Sequence, residues 1–269
     1  MSIIPARDDS ALLDHIINER QITSVFQPIF NIQQRNILGY EALSRGPQGT
    51  PLHSPEKLFA AARAHGRLSE LELLCRKQAI TYFVALNLPG KLFLNVSPEV
   101  LLDAEHPRGE TVQLLHLLGL PCDRVVIEIT EQQRADEALL KQAVNHYREL
   151  GFIIAIDDLG SGHSGLRQWS ELMPDIIKID RYFVDNCHRD VVKKEFLKFI
   201  FALASATGAL VIAEGIEQDA ELQLLASLGI SLTQGFLLEK PKEEPVQVFP
   251  AHIDVAAALD KLDSQAVLM

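Results

Sequence analysis

The sequence predicts an α/β fold, a modified, TIM-like (β/α)8 barrel with one antiparallel strand near its start. Short β-branched or aliphatic runs alternate with longer segments of helical period along the chain. Eight such runs occur in 269 residues, and this number favours closure into a barrel. Only the short polar segment 31–36 separates the first two runs, so they have no room for a connecting helix and should pair antiparallel.

The elements follow one another in the order that such a barrel needs. The predicted strands cover residues 25–30, 37–43, 92–96, 125–129, 152–156, 176–179, 210–213 and 232–236. The predicted helices cover residues 9–19, 54–65, 69–86, 110–118, 137–150, 191–207 and 218–228. The alternative is an open doubly wound sheet, which is disfavoured because no glycine-rich phosphate turn follows the first strand.

The barrel is expected to be one domain over residues 21–245, since 47% of the chain is hydrophobic and can form a full core. Residues 1–20 would form a lead-in helix. Residues 246–269 would form a final helix, near 255–262, and a tail that could continue into a further domain.

Composition excludes several classes of protein. The formal net charge of −11 argues against a nucleic-acid polymer or an anionic membrane as partner. Three widely spaced cysteines, Cys75, Cys122 and Cys187, form neither a disulfide framework nor a zinc ribbon. No secretory signal opens the chain, and Lys198 interrupts its most apolar long stretch, 196–213. A cytoplasmic location is therefore expected.

Polar residues recur where the predicted strands end. They are Glu41, Asn95, Glu128, Asp157, Asp158, Lys178, Glu214 and Gln234. Each alone would be an ordinary helix cap or solvated loop residue. Because the carboxyl ends of barrel strands form the active-site face, however, residues from distant positions would meet there on one ring.

The side-chain types in this ring restrict its chemistry. Carboxylates and an amide, without histidine or cysteine, favour Mg²⁺ or Mn²⁺ over zinc. The adjacent Asp157 and Asp158 would let one carboxylate bridge two ions while its neighbour binds one. Ions about 3.5–4 Å apart stabilise the attacking and leaving oxygens of a phosphoryl displacement. The pattern therefore predicts metal-dependent cleavage of a phosphodiester.

A series of motifs resembles the EAL domain family, the cyclic di-GMP phosphodiesterases of bacteria. The motifs, in chain order, are FQPI at 26–29, EALSR at 41–45, NVSP at 95–98, EITE at 128–131, DDLGSG at 157–162, KIDR at 178–181, AEGIE at 213–217 and QGF at 234–236. Their order and spacing agree with the family over about residues 20–245.

The resemblance implies a role for each residue of the ring. Glu41, Asn95, Glu128 and Asp157 would bind the first metal ion, and Asp157 would bridge to a second ion that also contacts Asp158. The implied catalytic residues are Lys178, which would orient or activate the attacking water, Glu214, as ligand or general base, Asp158, and Glu131, which would fasten the loop 157–166. In the family that loop links the catalytic site to a dimer interface, so a homodimer is also implied.

The resemblance also implies substrate contacts and a reaction. The contacts would be Gln27, Leu43, Arg45, Glu217, Gln234 and Phe236, with the Arg45 guanidinium on phosphate and the Phe236 ring against a guanine. The reaction would hydrolyse one phosphodiester bond of cyclic di-GMP to linear pGpG, with two Mg²⁺ or Mn²⁺ ions. Ca²⁺ would inhibit because it is larger and less strict in geometry than Mg²⁺.

Three alternatives remain at this point. The same fold could bind cyclic di-GMP without cleaving it, or could serve only as an interaction scaffold. The complete set of expected metal ligands favours the enzyme over both. A bifunctional protein is the third alternative. The chain itself lacks a cyclase motif, so the cyclase would lie in a further domain.

Overall fold

A computed structural model describes residues 9–102, 109–130, 137–160 and 165–254 of the protein. Eight strands close into a barrel in chain order. They are β1 (Thr23–Asn31), β2 (Asn36–Arg45), β3 (Lys91–Val96), β4 (Val125–Thr130), β5 (Ile153–Leu159), β6 (Ile176–Ile179), β7 (Leu210–Ala213) and β8 (Leu232–Thr233). β1 pairs antiparallel with both β2 and β8, and the other neighbours pair parallel. The predicted barrel with one reversed strand is confirmed, and β1 is that strand.

The helices surround this barrel. They are α1 (Asp9–Asn18), α2 (Pro55–Ala64), α3 (Leu68–Ala85), α4 (Pro98–Leu102), α5 (Glu110–Leu118), α6 (Glu137–Glu149), α7 (Gly165–Leu172), α8 (Arg181–Val184), α9 (Val191–Thr207) and α10 (Asp219–Ser227), with a 3-10 turn at Cys122–Arg124. The seven predicted helices end within a residue of the observed ones. The helices α4, α7 and α8 were not predicted, because they are too short for a 3.6-residue period to stand out.

Two predicted strand boundaries are wrong, and both bear on the site. β5 continues through Leu159 rather than ending at residue 156, and β8 ends at Thr233 rather than at residue 236. Several ring residues therefore lie within strands rather than at their ends, contrary to the prediction. Glu41 and Lys178 lie inside β2 and β6, Asp157 lies inside β5, and Gln234 follows β8.

The barrel has apolar packing on both sides of its wall. Outside, the strands and helices share one large buried cluster that includes Phe83, Ile127 and Leu197. Inside, a smaller layer fills the bottom of the barrel, formed by Ile29, Phe93, Val126, Ala155, Ile176, Ile212 and Leu232. Burial on both faces explains why most of these strands read as continuous aliphatic runs rather than as alternating ones.

The segment after β8 returns across the barrel. The Tyr40 hydroxyl donates to the Val246 carbonyl at 3.0 Å. The Phe249 ring packs edge-on against Phe30, with 5.7 Å between centroids. The helix predicted near 255–262 lies outside the described residues, and the division into 1–20, 21–245 and 246–269 stays a prediction.

All three cysteines are free thiols, as the sequence predicts. Within the described ranges, no helix combines the length and apolarity that a bilayer span requires.

Candidate active site

A polar layer lies directly above the apolar layer inside the barrel. In six strands, the interior apolar residue is followed two positions later by a polar one. The pairs are Phe93 and Asn95, Val126 and Glu128, Ala155 and Asp157, Ile176 and Lys178, Ile212 and Glu214, and Leu232 and Gln234. Because side chains alternate along a strand, a residue two positions on faces the same side. In the reversed β1 the order inverts, and Gln27 precedes Ile29.

Lys178 occupies the centre of this polar layer. Its side chain is fully buried, and its Nζ lies 2.7 Å from Glu128 Oε1, 2.7 Å from Glu214 Oε1, 3.0 Å from Asp157 Oδ1 and 3.3 Å from Glu41 Oε2. The four carboxylates come from four different strands or strand ends. One ammonium thus holds together acids that would otherwise repel one another.

Glu41 is fixed by two amides as well as by the lysine. Asn95 Nδ2 donates to Glu41 Oε1 at 3.0 Å, and Gln234 Nε2 donates to Glu41 Oε2 at 2.8 Å. Although burial raises the pKa of Glu41, the Lys178 charge and these hydrogen bonds outweigh it and lower that pKa below its usual value. Glu41 is therefore the carboxylate of the ring that is held most firmly in its charged form.

A β-bulge brings two adjacent aspartates to the same site. Ile156 pairs with Ile177 and Leu159 with Ile179, so β5 has one more residue than β6 between these pairs. Asp158, in the extra stretch, has a φ of 55°. In a regular strand, Asp157 and Asp158 would face opposite sides. Here, oxygens of both lie within 4.8 Å of each other and of Glu214.

Crowding and burial raise the pKa of the remaining acids. Burial first, and then neighbouring carboxylates, raise the pKa of Glu128 and Glu214 well above the usual range, against the opposing effect of Lys178. Burial and the Asp157 charge raise the pKa of Asp158 to about 7. The pKa of Asp157 is likewise raised. These four acids lack enough positive charge around them, so added cations would be favoured.

The donor atoms fit divalent cations. Two groups of carboxylates each have oxygens within 4.8 Å of one another: Glu41, Glu128 and Asp157 form the first carboxylate group, and Asp157, Asp158 and Glu214 form the second. Asp157 belongs to both. The buried Glu128 Oε2 has no hydrogen-bond partner among the described residues, so it can accept an ion. All of these donors are hard oxygens, as Mg²⁺ and Mn²⁺ prefer.

A cavity of about 660 Å³ opens above the ring. Of the predicted site residues, the cavity is lined by Gln27, Glu41, Leu43, Asn95, Asp157, Asp158, Lys178, Glu214, Glu217, Gln234 and Phe236. Glu128 is buried beneath its floor. Phe236 is half-exposed, so its ring can receive a flat ligand. These eleven lining residues come from segments far apart in the sequence, and the barrel brings them together.

Two other predicted site residues, Arg45 and Glu131, are not among those that line this cavity. Arg45 lies in an adjoining cavity of about 270 Å³, which shares Leu43 and Asn95 with the first, and its Nη1 donates to the Ser44 carbonyl at 2.9 Å. Glu131 lies outside the described residues, as does part of the loop 157–166.

Arg181 belongs to the KIDR motif but was not among the predicted site residues. In the structure Arg181 lines the cavity, and its Nη2 lies 2.8 Å from Glu217 Oε1. Its position three residues after Lys178, just past the strand end, was the available signal. Glu221 was also missed. It is a fully buried acid that binds the backbone of Glu217.

Comparison with known proteins identifies the class. The chain matches the EAL domain over residues 10–241 and belongs to that family, as its motifs predict. It is 33% identical over 237 residues to a protein of Escherichia coli (strain K12) named probable cyclic di-GMP phosphodiesterase PdeI, covering 84% of this chain and 30% of that one. For the probable cyclic di-GMP phosphodiesterase PdeB of the same strain, identity is 29%, covering 90% and 47%. The chain thus spans less than half the length of these relatives.

Solved EAL structures share the fold. A standalone EAL protein from Vibrio cholerae O395, in its c-di-GMP-bound form, aligns with a TM-score of 0.77 and 31% identity, covering 86% of this chain and 96% of that one. Klebsiella pneumoniae BlrP1, in a manganese and cyclic di-GMP complex at pH 9.0, aligns with a TM-score of 0.77 and 31% identity, covering 82% and 56%. A calcium and cyclic di-GMP complex of BlrP1 is similar, with a TM-score of 0.78.

Proposed function

We propose that this chain hydrolyses cyclic di-GMP to linear pGpG with divalent metal ions held by the two carboxylate groups. The observation that carries the proposal is the pair of groups sharing Asp157 beneath one cavity, with Lys178 between them. Relatives named as cyclic di-GMP phosphodiesterases and EAL structures in complex with cyclic di-GMP support the choice of substrate. Mg²⁺ or Mn²⁺ is the proposed metal.

The geometry supports the following proposed roles for the ring residues. Glu41, Asn95, Glu128 and Asp157 would hold one ion, and Asp157, Asp158 and Glu214 the other. Bound ions would activate water and neutralise charge on the phosphate. Lys178 Nζ, within 3.3 Å of four carboxylates, would hold the ligand oxygens in place and donate a hydrogen bond to the attacking water. Glu214 would either bind the ion or accept the water's proton, and its place in the second carboxylate group favours the ligand role.

The proposed substrate contacts surround the ring. Phe236 would stack on a guanine, and Gln27 and Glu217 would bind polar edges of the nucleotide from the cavity wall. Arg45 would bind phosphate from the adjoining cavity. Gln234 already donates to Glu41, so its larger effect would be on that carboxylate. We further propose that Ca²⁺ inhibits, that the protein acts as a homodimer, and that it works in the bacterial cytoplasm.

The test is turnover by the purified protein with cyclic di-GMP and Mn²⁺, with pGpG separated by liquid chromatography. The decisive variant is Glu41→Gln, which keeps the shape of a buried side chain with three polar contacts but removes its charge. We expect turnover to fall at least about 100-fold because a metal ligand is lost. Glu171→Ala, which removes an exposed acid paired with Lys141, should match the wild type.

Three outcomes separate the alternatives. Product formation that depends on Glu41 supports the enzyme. Tight binding of cyclic di-GMP without product would identify a receptor, and no binding would leave a scaffold. Full activity of Glu41→Gln would contradict the metal assignment.

A further inference from the structure

We propose that Phe183 is a positioning residue for the second carboxylate group: its ring holds the bulge of β5 in the conformation that turns Asp158 toward Glu214. The inference rests on the proposed function, because it concerns the residues that would hold the second metal ion. Phe183 itself has no atom that could bind a metal, so its role would be indirect.

The bulge needs an external support. Asp158 has a φ of 55°, a region that side-chain-bearing residues rarely occupy. Gly160, two residues on, has a φ of 102°. Such conformations persist only where the surroundings enforce them. The bulge pairs with β4 and contacts Lys178 through Asp157 at 3.0 Å, and Leu159 at its far end pairs with Ile179 of β6. Just past that pair, the backbone at Gly160 makes a further contact, with α8.

The Phe183 ring supplies that contact. A Cβ built on Gly160 would lie 2.2 Å from Phe183 Cε2 and 3.0 Å from Cδ2. The glycine backbone therefore lies directly against the ring, at a distance that no side chain at position 160 would allow. The ring closes the space into which the backbone could otherwise relax.

The ring is in turn held rigidly. It stacks on Phe196 of α9, with centroids 3.7 Å apart and planes 16° apart, and the Tyr182 ring meets it edge-on at 5.1 Å. Asp180, two residues after Lys178, caps the start of α8, because its Oδ1 accepts from the Tyr182 backbone amide at 2.7 Å. The support for the bulge thus derives from α9, a helix of 17 residues.

The same short helix contacts the other loop of the second carboxylate group. Gly215, next to Glu214, has a φ of 70°, and a Cβ there would lie 2.3 Å from Arg181 Cγ. α8 therefore lies against the backbone after β5 through Phe183 and against the backbone after β7 through Arg181. Asp158 lies two residues before Gly160, and Glu214 directly precedes Gly215, so α8 contacts the backbone next to both acids of the second carboxylate group.

The experiment compares Phe183→Leu, which keeps apolar volume but loses the flat ring, with Phe199→Leu, which changes an exposed ring of α9. Hydrogen exchange of the metal-free proteins, followed by mass spectrometry, reports on the backbone around 157–160. Titration with Mn²⁺, followed by calorimetry, reports on the ions. Phe183→Leu should exchange faster at 157–160 and bind one of two ions about tenfold more weakly, as is typical when an outer support of a ligand is lost. Phe199→Leu should match the wild type in both measurements.

Phe183→Tyr keeps the ring and is expected to restore wild-type exchange and ion affinity. Phe196→Leu removes the ring on which Phe183 stacks, and it should shift the exchange rate and the ion affinity in the same direction as Phe183→Leu. Phe196→Leu therefore provides the test if Phe183→Leu does not fold. Wild-type exchange at 157–160 in folded Phe183→Leu would overturn the inference, whatever its ion affinity. If the proposed function is wrong, the wild type will form no pGpG. The exchange measurement uses metal-free protein without substrate, so its result does not depend on whether the protein forms pGpG.

Discussion

At the scale of single residues, the charge balance of the ring favours the binding of cations. Five carboxylates, Glu41, Glu128, Asp157, Asp158 and Glu214, surround the single ammonium of Lys178. With all six groups ionised, five negative charges and one positive charge leave four negative charges uncompensated. Burial makes this excess costly, and divalent cations are the natural way to neutralise it.

Lys178 should therefore matter for stability as well as for turnover. In metal-free protein, Lys178→Ala is expected to lower the free energy of unfolding by about 3–5 kcal/mol, because it leaves buried carboxylates without their cation. Mn²⁺ should restore part of that loss. Turnover should fall more than substrate binding does. Denaturant unfolding with and without Mn²⁺ measures the first effect, and steady-state kinetics the second.

Lys198→Ala is the matched control, since it removes an exposed lysine paired with Glu195 and should change stability little. Metal-free Lys178→Ala as stable as the wild type would show that the buried ammonium does not hold the ring together.

At the scale of elements, a buried acid organises the loop after β7. The Glu221 carboxylate accepts from the backbone amides of Asn186 at 2.8 Å, Glu217 at 3.0 Å and Gln218 at 3.1 Å. It also accepts from Gln218 Nε2 at 3.0 Å. It thereby caps the start of α10. It also joins the segment just after α8, at Asn186, to the loop in which Glu217 lines the cavity.

Glu221→Ala should lower the free energy of unfolding by roughly 2–3 kcal/mol, because three backbone amides lose a buried, charged partner. The KM for cyclic di-GMP should rise as the loop holding Glu217 loosens, with a smaller change in kcat. Thermal unfolding and kinetics measure the two effects. Glu195→Ala, an exposed acid on α9, is the comparison, and equal unfolding temperatures for the two variants would refute the role of Glu221.

At the scale of the whole molecule, the raised pKa values link stability to pH. Asp158, with its pKa raised from 3.8 to about 7, keeps its proton to higher pH in the folded chain than in the unfolded one. Glu128, Asp157 and Glu214 shift in the same direction. The folded state therefore binds more protons, and stability falls as pH rises through this window. The lowered pKa of Glu41 and the raised pKa of Lys178 act below and above the window, respectively.

Metal-free protein should accordingly melt at a lower temperature at about pH 7.5 than at about pH 5.5. Mn²⁺ should reverse the trend, because deprotonated carboxylates bind the ion and binding to the folded state stabilises it. Scanning fluorimetry in EDTA and in Mn²⁺ measures both slopes. Glu214→Gln, which removes one of the shifted acids, should flatten the slope in EDTA. A slope of the opposite sign in EDTA would contradict the crowding of acids described here.

The sequence by itself determined the barrel, its reversed strand and the identity of the ring. Aliphatic runs and helical periods are local patterns, and the short segment 31–36 between the first two predicted strands leaves only antiparallel pairing for them, as β1 and β2 show. The motifs from Glu41 to Gln234 sufficed to predict the EAL family, which the comparison confirms. The apolar residue two positions before six of the polar ones was also present in the sequence, and it marks both members of each pair as facing the barrel interior.

Only the tertiary structure decided how these residues act on one another. The extra residue of β5 depends on its register with β6, which no local pattern encodes. The four contacts of Lys178 depend on closure of the barrel, because the carboxylates lie up to 173 residues apart (214 − 41) along the chain. The short helix α8 contacts the segments that follow two other strands, β5 and β7. Phe183 lies against Gly160 and Arg181 against Gly215, and a helix of 4 residues is too short to predict from the sequence. Residue types can be read from the chain, but their distances and pKa values arise only from packing.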